Sequence, residues 1–327
     1  MLTTSERPRR LRSHSALRDL VQETPLQLAQ LIQPYFLTPK AIESEPIDGF
    51  GDVCRWSETA LLRKIERDLE KGVKHFMLFG TAVEKNASGS ESAEPQATVQ
   101  KSLRRLREAF GSAAVLYTDL CLCPYTSHGH CGVWDGKHVD NDASIPLLVK
   151  AAIAQAEAGV DFVAPSDMMD GRVGAIRAGL DQAGFSHVGI LAHTAKYASS
   201  YYGPFRSALD SAPEAGSDRS GYQMDFRNRR EALRELRLDT AEGADMVMVK
   251  PALAYLDVIA DFRRHSDLPV VAYSVSGEYQ MVKLMAQAGL ADERRLALEN
   301  LTAIRRAGAS AIVTYYASPA AEKGWLR

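Results

Sequence analysis

The sequence predicts an α/β fold: a closed (β/α)8 barrel of the TIM type with an extended N-terminal arm. Three observations predict it. Short runs rich in Val, Ile, Leu, Phe and Tyr alternate with longer segments of helical periodicity, the pattern of parallel strands joined by helical crossovers. Eight such runs occur, the number that closes a barrel. The runs are almost continuously apolar, as strands buried on both faces must be.

In chain order, residues 1 to 28 are polar and weakly periodic, with Arg7, Arg9, Arg10, Arg12 and Arg18 among serines. The composition suits an organelle transit segment or a solvated basic arm, and the direct run into the fold favours the arm. The barrel domain is expected over 29–327. Its strands are expected at Leu31–Phe36, His75–Phe79, Ala114–Thr118, Asp161–Ala164, Val188–Ala192, Met246–Val249, Val270–Tyr273 and Ala311–Tyr315. Ser57 opens the first helix, where Leu61, Leu62, Ile65 and Leu69 recur at helical spacing. Further helices are expected over 97–110, 146–158, 171–183, 228–242, 253–264 and 292–306. Ser88–Pro95 reads as a loop. Tyr201–Met224, with Gly203, Pro204, Pro213, Gly216 and Gly221, is long enough for a lid over the C-terminal face. No glycine-rich phosphate loop follows the first strand, so an open doubly wound sheet lacks its usual functional support.

Composition narrows the function. The chain has 327 residues, 46% of them hydrophobic, enough for a large core without covalent staples. A formal charge of −2 gives no bulk attraction to nucleic acid. No apolar run approaches the roughly 20 residues of a membrane span. Of four cysteines, three fall within Cys121–Cys131, which reads as a metal or redox cluster in a reducing compartment, the cytoplasm, and not as a disulfide framework.

Three groups of residues carry chemistry. Cys121, Cys123 and Cys131 stand as C-x-C-x7-C where the third strand ends, and thiolates so placed suit zinc. Three thiolates with an open position would make a catalytic site; the addition of His128 or His130 would close a structural one; a redox pair is a third option. Placement at a strand's C-terminal end favours the open site. Cys54 is distant in sequence and reads as incidental. Lys196 and Lys250 each follow a barrel strand. A desolvated amine, more so beside a second amine, is held neutral and becomes the nucleophile a carbonyl needs for a Schiff base. Arg206, Arg219 and Gln223 lie in the long loop, where guanidiniums could capture a carboxylate. Ser276 and Tyr315, at the ends of strands seven and eight, offer hydroxyls for a second carboxylate. Ser166, after strand four, could donate to a substrate amine, and Asp170 reads as a helix cap.

Together these motifs resemble the zinc-binding type of the porphobilinogen synthase (5-aminolevulinate dehydratase) family. The likeness runs through Asp119–Gly132, Val163–Arg172, Lys196 with Tyr202-Gly-Pro-Phe-Arg206, Met248-Val-Lys250-Pro251, Val275-Ser-Gly-Glu278 and Thr314-Tyr-Tyr316, in order from about residue 25 onward. The resemblance implies condensation of two 5-aminolevulinate molecules to porphobilinogen, in heme biosynthesis. It implies Lys250, Ser276 and Tyr315 on the first substrate and Lys196, Arg206, Arg219 and Gln223 on the second. Asp119 and Ser166 would lie near the reacting amine and zinc on the cysteines. It further implies a homo-octamer built through the arm, and a magnesium ion held through water by Glu235. His193-Thr194 stand before Lys196 where many relatives carry Tyr-Ser, and Phe226-Arg227 also depart from the commoner pattern. On the residues alone, a one-lysine Schiff-base aldolase or a catalytically silent zinc-binding scaffold on the same barrel are the competing readings.

Overall fold

Continuous apolar runs can hide both faces only inside a sheet covered by helices, and that is the architecture adopted. The computed structural model describes residues 6–213 and 218–326. Its barrel strands are β1 (Leu31–Leu37), β2 (His75–Gly80), β3 (Val115–Leu120), β4 (Phe162–Pro165), β5 (Gly189–Lys196), β6 (Met246–Lys250), β7 (Val270–Tyr273) and β8 (Ala311–Val313). All neighbours pair in parallel, and β8 returns to β1 through Leu31↔Ile312 and Ile32↔Val313, so the sheet closes. The crossover helices are α1 (Glu58–Glu70), α2 (Thr98–Phe110), α3 (Asn141–Glu157), α4 (Arg172–Gln182), α5 (Arg230–Ala241), α6 (Leu256–His265), α7 (Ser276–Gln287) and α8 (Glu293–Ala307). Ser57 caps α1 as expected, accepting from Ala60 N, and Leu61 and Ile65 are fully buried beneath it.

The differences from expectation have local causes. Strand five runs on to Lys196, because β5 keeps pairing with β6 as far as Lys196↔Lys250. The last strand stops at Val313, which leaves Tyr315 in the turn before the short helix Ala317–Glu322. Helix α3 begins at Asn141, five residues before the expected start: Asp140 caps Ala143 N at 3.0 Å, and Pro146 is carried in the second turn. Helix α7 had no counterpart in the sequence reading, because exposed Met281, Leu284 and Met285 blur its apolar stripe. Nor did the hairpin Ser44–Pro46/Cys54–Trp56, which extends the sheet beside β1 through Phe36↔Arg55; three-residue strands carry no periodic signal.

One buried clamp holds the wall behind the expected site. Between Val247↔Ala192 and Val249↔Ala195, three steps on β5 oppose two on β6, a bulge at His193–Thr194. The Arg172 guanidinium, 2% exposed, donates to the His193 carbonyl at 3.3 Å and to both Asp239 oxygens at 2.9 and 3.3 Å. It thereby ties α4, α5 and the bulge together. Removing one partner strands the other charge in the interior. Arg172→Met should therefore cost about 3–5 kcal/mol in urea unfolding, and Arg172→Met/Asp239→Leu should cost less than the two single changes added.

Candidate active site

Within the barrel mouth, the expected residues other than Glu235 gather at and beyond the C-terminal ends of β3 to β8. The β5–β6 register sets Lys196 directly beside Lys250, and their exposures are 5% and 2%. Lys196 Nζ donates to the Ser166 carbonyl at the end of β4. Lys250 Nζ lies over the rings of Tyr273 and Phe205, 4.2 and 4.5 Å from their centres. Burial, and then the Lys196 charge, bring the Lys250 amine down to about 7, where a sizeable neutral fraction exists at neutral pH.

Asp119, next to last in β3, feels the charges of both amines. One of its carboxyl oxygens is buried without a hydrogen-bond partner. Burial pushes its carboxyl up, against the pull of Lys196, Lys250 and a hydrogen bond from Ser166. His193 is fully buried with both ring nitrogens unpartnered; burial, then the charges of Lys250 and Lys196, hold it neutral.

The described parts of the Tyr201–Met224 segment, 201–213 and 218–224, bond the backbone of both lysines. Met224 N donates to the Lys196 carbonyl at 3.0 Å, and the Tyr202 hydroxyl to the Lys250 carbonyl at 3.0 Å. Arg55 Nε fastens the segment from outside by donating to Ala208 O at 2.6 Å. Gly216 lies outside the described residues. Arg219 and Gln223 are 5% and 3% exposed. Arg219 Nε, Arg206 Nε and both side-chain polar atoms of Gln223 are buried without partners, a donor-rich set suited to an anion. Arg206 is half-buried and borders a cavity of about 770 Å³ that also touches Arg55, Ser207 and Asp210.

The second hydroxyl pair lies on the Lys250 side. Tyr315 shares a hydrogen bond of 3.1 Å with Tyr273, whose ring faces Lys250. Ser276 Oγ donates to Tyr201 O and accepts from Phe205 N, both at 3.2 Å, so its hydroxyl is joined to the covering segment. Glu235 stands apart, half-buried on α5. Burial brings its carboxyl up to about 7, and Asp239, Asp170 and Glu231 add to this against Arg172.

The three cysteines are 0–3% exposed, and their sulfurs lie within 4.8 Å of one another. They are free thiols, with Cys121 and Cys123 Sγ 3.4 Å apart. Hydrogen bonds from Cys121 and then Cys123 hold Cys131 well below the ordinary thiol range, while burial pushes Cys121 up. A compact, dry trio of sulfurs fits a thiophilic cation such as zinc. Neither histidine sits among the sulfurs. His128 Nδ1 accepts from His130 N at 3.1 Å, which leaves Nε2 to donate to Ala87 O, and His130 stacks on Trp134 at 4.1 Å. The loop is closed from above by Tyr222, whose hydroxyl accepts from Cys131 N at 3.3 Å, and by Arg219, which donates to Gly129 O at 3.0 Å. Gly129 has φ +71°, and a Cβ there would lie 2.6 Å from Ala212 O, so only glycine permits this approach.

A profile of the family described as Delta-aminolevulinic acid dehydratase matches residues 5–323. The chain belongs to the delta-aminolevulinic acid dehydratase family. It is 46% identical to the delta-aminolevulinic acid dehydratase of Staphylococcus aureus over 314 residues, 95% of this chain and 96% of that one. It is 45% identical to that of Halalkalibacterium halodurans over 323 residues, 99% of this chain and 97% of that one. A crystal structure of the Toxoplasma gondii ME49 delta-aminolevulinic acid dehydratase (porphobilinogen synthase), in complex with its reaction product porphobilinogen, superposes with a TM-score of 0.96. Identity is 46%, covering 99% of this chain and 92% of that one.

Against this family membership, the sequence reading missed Tyr273 and Phe205, the aromatic walls of Lys250, and Tyr222, the cover of the cysteine loop. None has a spacing signal; each arrives from a different element. For the sulfur trio, one Co2+ per chain should give a thiolate charge-transfer band that Cys131→Ser abolishes. Circular dichroism should be unchanged on chelation, and affinity should fall with pH as protons compete for the sulfurs.

Proposed function

We propose that this chain is a porphobilinogen synthase, a hydro-lyase that joins two 5-aminolevulinate molecules with loss of two waters. The observation that carries the reading is the pair of buried amines abreast on β5 and β6. A Schiff-base aldolase needs one such lysine; two give two carbonyl substrates separate tethers a strand apart. The family membership and the Toxoplasma gondii enzyme's product complex support the same conclusion.

The roles are those the resemblance implies, and the positions support them. Lys250 adds to the C4 carbonyl of the first substrate, and loss of water leaves an iminium; Ser276 and Tyr315 hold its carboxylate. Lys196 does the same for the second, with Arg206, Arg219 and Gln223 on its carboxylate. An iminium acidifies the carbon beside it, so a proton leaves one substrate and the resulting enamine attacks the iminium carbon of the other, whose C=N pair passes to the lysine nitrogen. A substrate amine then closes the ring on the remaining iminium carbon, and both lysines depart as amines as the pyrrole forms. Holding both partners in place removes much of the entropic barrier. Asp119, with its unpartnered buried oxygen, is placed to take a proton, and Ser166 steadies it through the hydrogen bond. Cys121, Cys123 and Cys131 would hold a zinc ion, which supplies Lewis-acid polarisation of a substrate oxygen when bound. Glu235 assembles no cation site within the described residues of one chain, so no step is assigned to magnesium.

We further infer a homo-oligomer, an octamer by the resemblance, with the arm lying on a neighbouring copy. None of the described residues 6–28 is buried, and Leu11 and Leu20 are 52% and 79% exposed. A cytoplasmic setting suits three close free thiols. No described helix is long and apolar enough to cross a membrane.

With 5-aminolevulinate and zinc under reducing conditions, the folded protein should yield a pyrrole that colours with an aldehyde reagent; no pyrrole would defeat the reading. Borohydride with substrate should label Lys250 by peptide mapping, and Lys250→Ala should be inactive. The neutral amine is the reactive form, so labelling should rise with pH through about 7 and level off above it. In Lys196→Met the midpoint should move upward, because the neighbouring positive charge is gone.

A further inference from the structure

One buried ionisable group near the lysines has no part in the chemistry above. Glu278 is the third residue of α7 and is 2% exposed. Its Oε2 accepts from Val275 N at 2.6 Å, the ordinary link of a helix capping box. Its other oxygen reaches across 25 residues of sequence: Oε1 accepts from Leu253 N, three residues beyond Lys250. The Ala252 N–H adds to the same carboxyl. Capping requires only the first of these bonds, and a capping glutamate works as well in water. Burial pushes this carboxyl up to about 7, against the pull of the Leu253, Val275 and Ala252 amides, so solvation has been given up for a fixed position.

One carboxylate therefore joins the peptide just past Lys250 to the peptide just before Ser276. In the reading above, these two residues grip opposite ends of one molecule, Lys250 its ketone carbon and Ser276 its carboxylate. Leu253 follows Lys250 through a short loop, and Val275 adjoins Ser276 directly. The Glu278 bridge thus ties together the two loops that carry the grips, beyond the β6–β7 pairing that ends at Val249↔Ala272. About 1 Å of misplacement can cost on the order of a hundredfold in rate.

We propose that Glu278 is a positioning residue that selects substrate chain length: its two-sided bridge between Leu253 and Val275 sets the span from Lys250 to Ser276 to that of a γ-keto acid. This rests on the assignment of Lys250 and Ser276 made above. On this proposal a ketone and a carboxylate separated by two methylene groups should fit between the two grips, and a homologue with one more should not.

The test compares borohydride trapping of 4-oxopentanoate and 5-oxohexanoate, read at Lys250 by peptide mass spectrometry. The wild-type protein should trap the shorter acid faster, by roughly tenfold or more. Glu278→Gln keeps the size but turns an amide donor toward one backbone N–H, which breaks one side of the bridge. The preference should then fall to near unity because trapping of the shorter acid slows, while trapping of the longer acid is unchanged. Glu278→Asp keeps the charge but cannot reach both sides. It should show the same collapse, and it is the arm read if Glu278→Gln does not fold. Equal slowing of both acids, as a merely structural role would give, overturns the proposal, as does an unchanged preference. A wild-type label on a residue other than Lys250 defeats the underlying assignment instead.

Discussion

The parallel pairing of β5 with β6 is the constraint from which the site grows. It brings two primary amines side by side, both buried. Two ammonium ions there would repel across a low-dielectric gap, so the surroundings have to favour the neutral form of at least one. Aromatic rings around Lys250 do this by desolvation, and Asp119 limits the effect by offering a carboxyl to both amines. Arg172, locked to Asp239, supports the bulge just behind Lys196. Each of these features would be hard to explain in a barrel whose fifth and sixth strands ended in apolar residues.

The covering segment and the cysteine loop form a second unit. Arg219 bonds Ser211 within its own segment and Gly129 within the cysteine loop, while Tyr222 bonds the backbone of Cys131. The sulfurs and the proposed second carboxylate site are therefore organised by the same stretch of chain. Arg55, from the hairpin beside β1, holds that stretch from the other side.

How much of this was legible in the sequence follows from how each signal is encoded. The barrel was legible because continuous apolar runs and amphipathic helices are local patterns. The cysteines were legible because three thiols fell in one loop, and the lysines because each ends an apolar run. The contacts that tune those groups were not. Tyr273 beside Lys250 and Arg172 behind His193 are products of closure, which joins residues far apart in sequence. Glu278 was visible only as the last residue of the Val275-Ser-Gly-Glu278 motif, since the bond to Leu253 exists only once the strands before both loops are neighbours. Ser276 was read as a hydroxyl for a carboxylate, and its bonds to Tyr201 and Phe205 were not visible. Sequence marks the group and leaves its partners unstated.

The burial of the three sulfurs also bears on time. Their near-zero exposure and the contacts of Tyr222 and Arg219 enclose the trio among the described residues. Any ion held there exchanges only when those bonds open, so its residence time reflects how often the cover lifts as well as how tightly sulfur binds. Met224, of the same segment, bonds the Lys196 carbonyl. Ion exchange and substrate traffic would then share one gate, and a change that slowed the gate would slow both rates while leaving either equilibrium where it was.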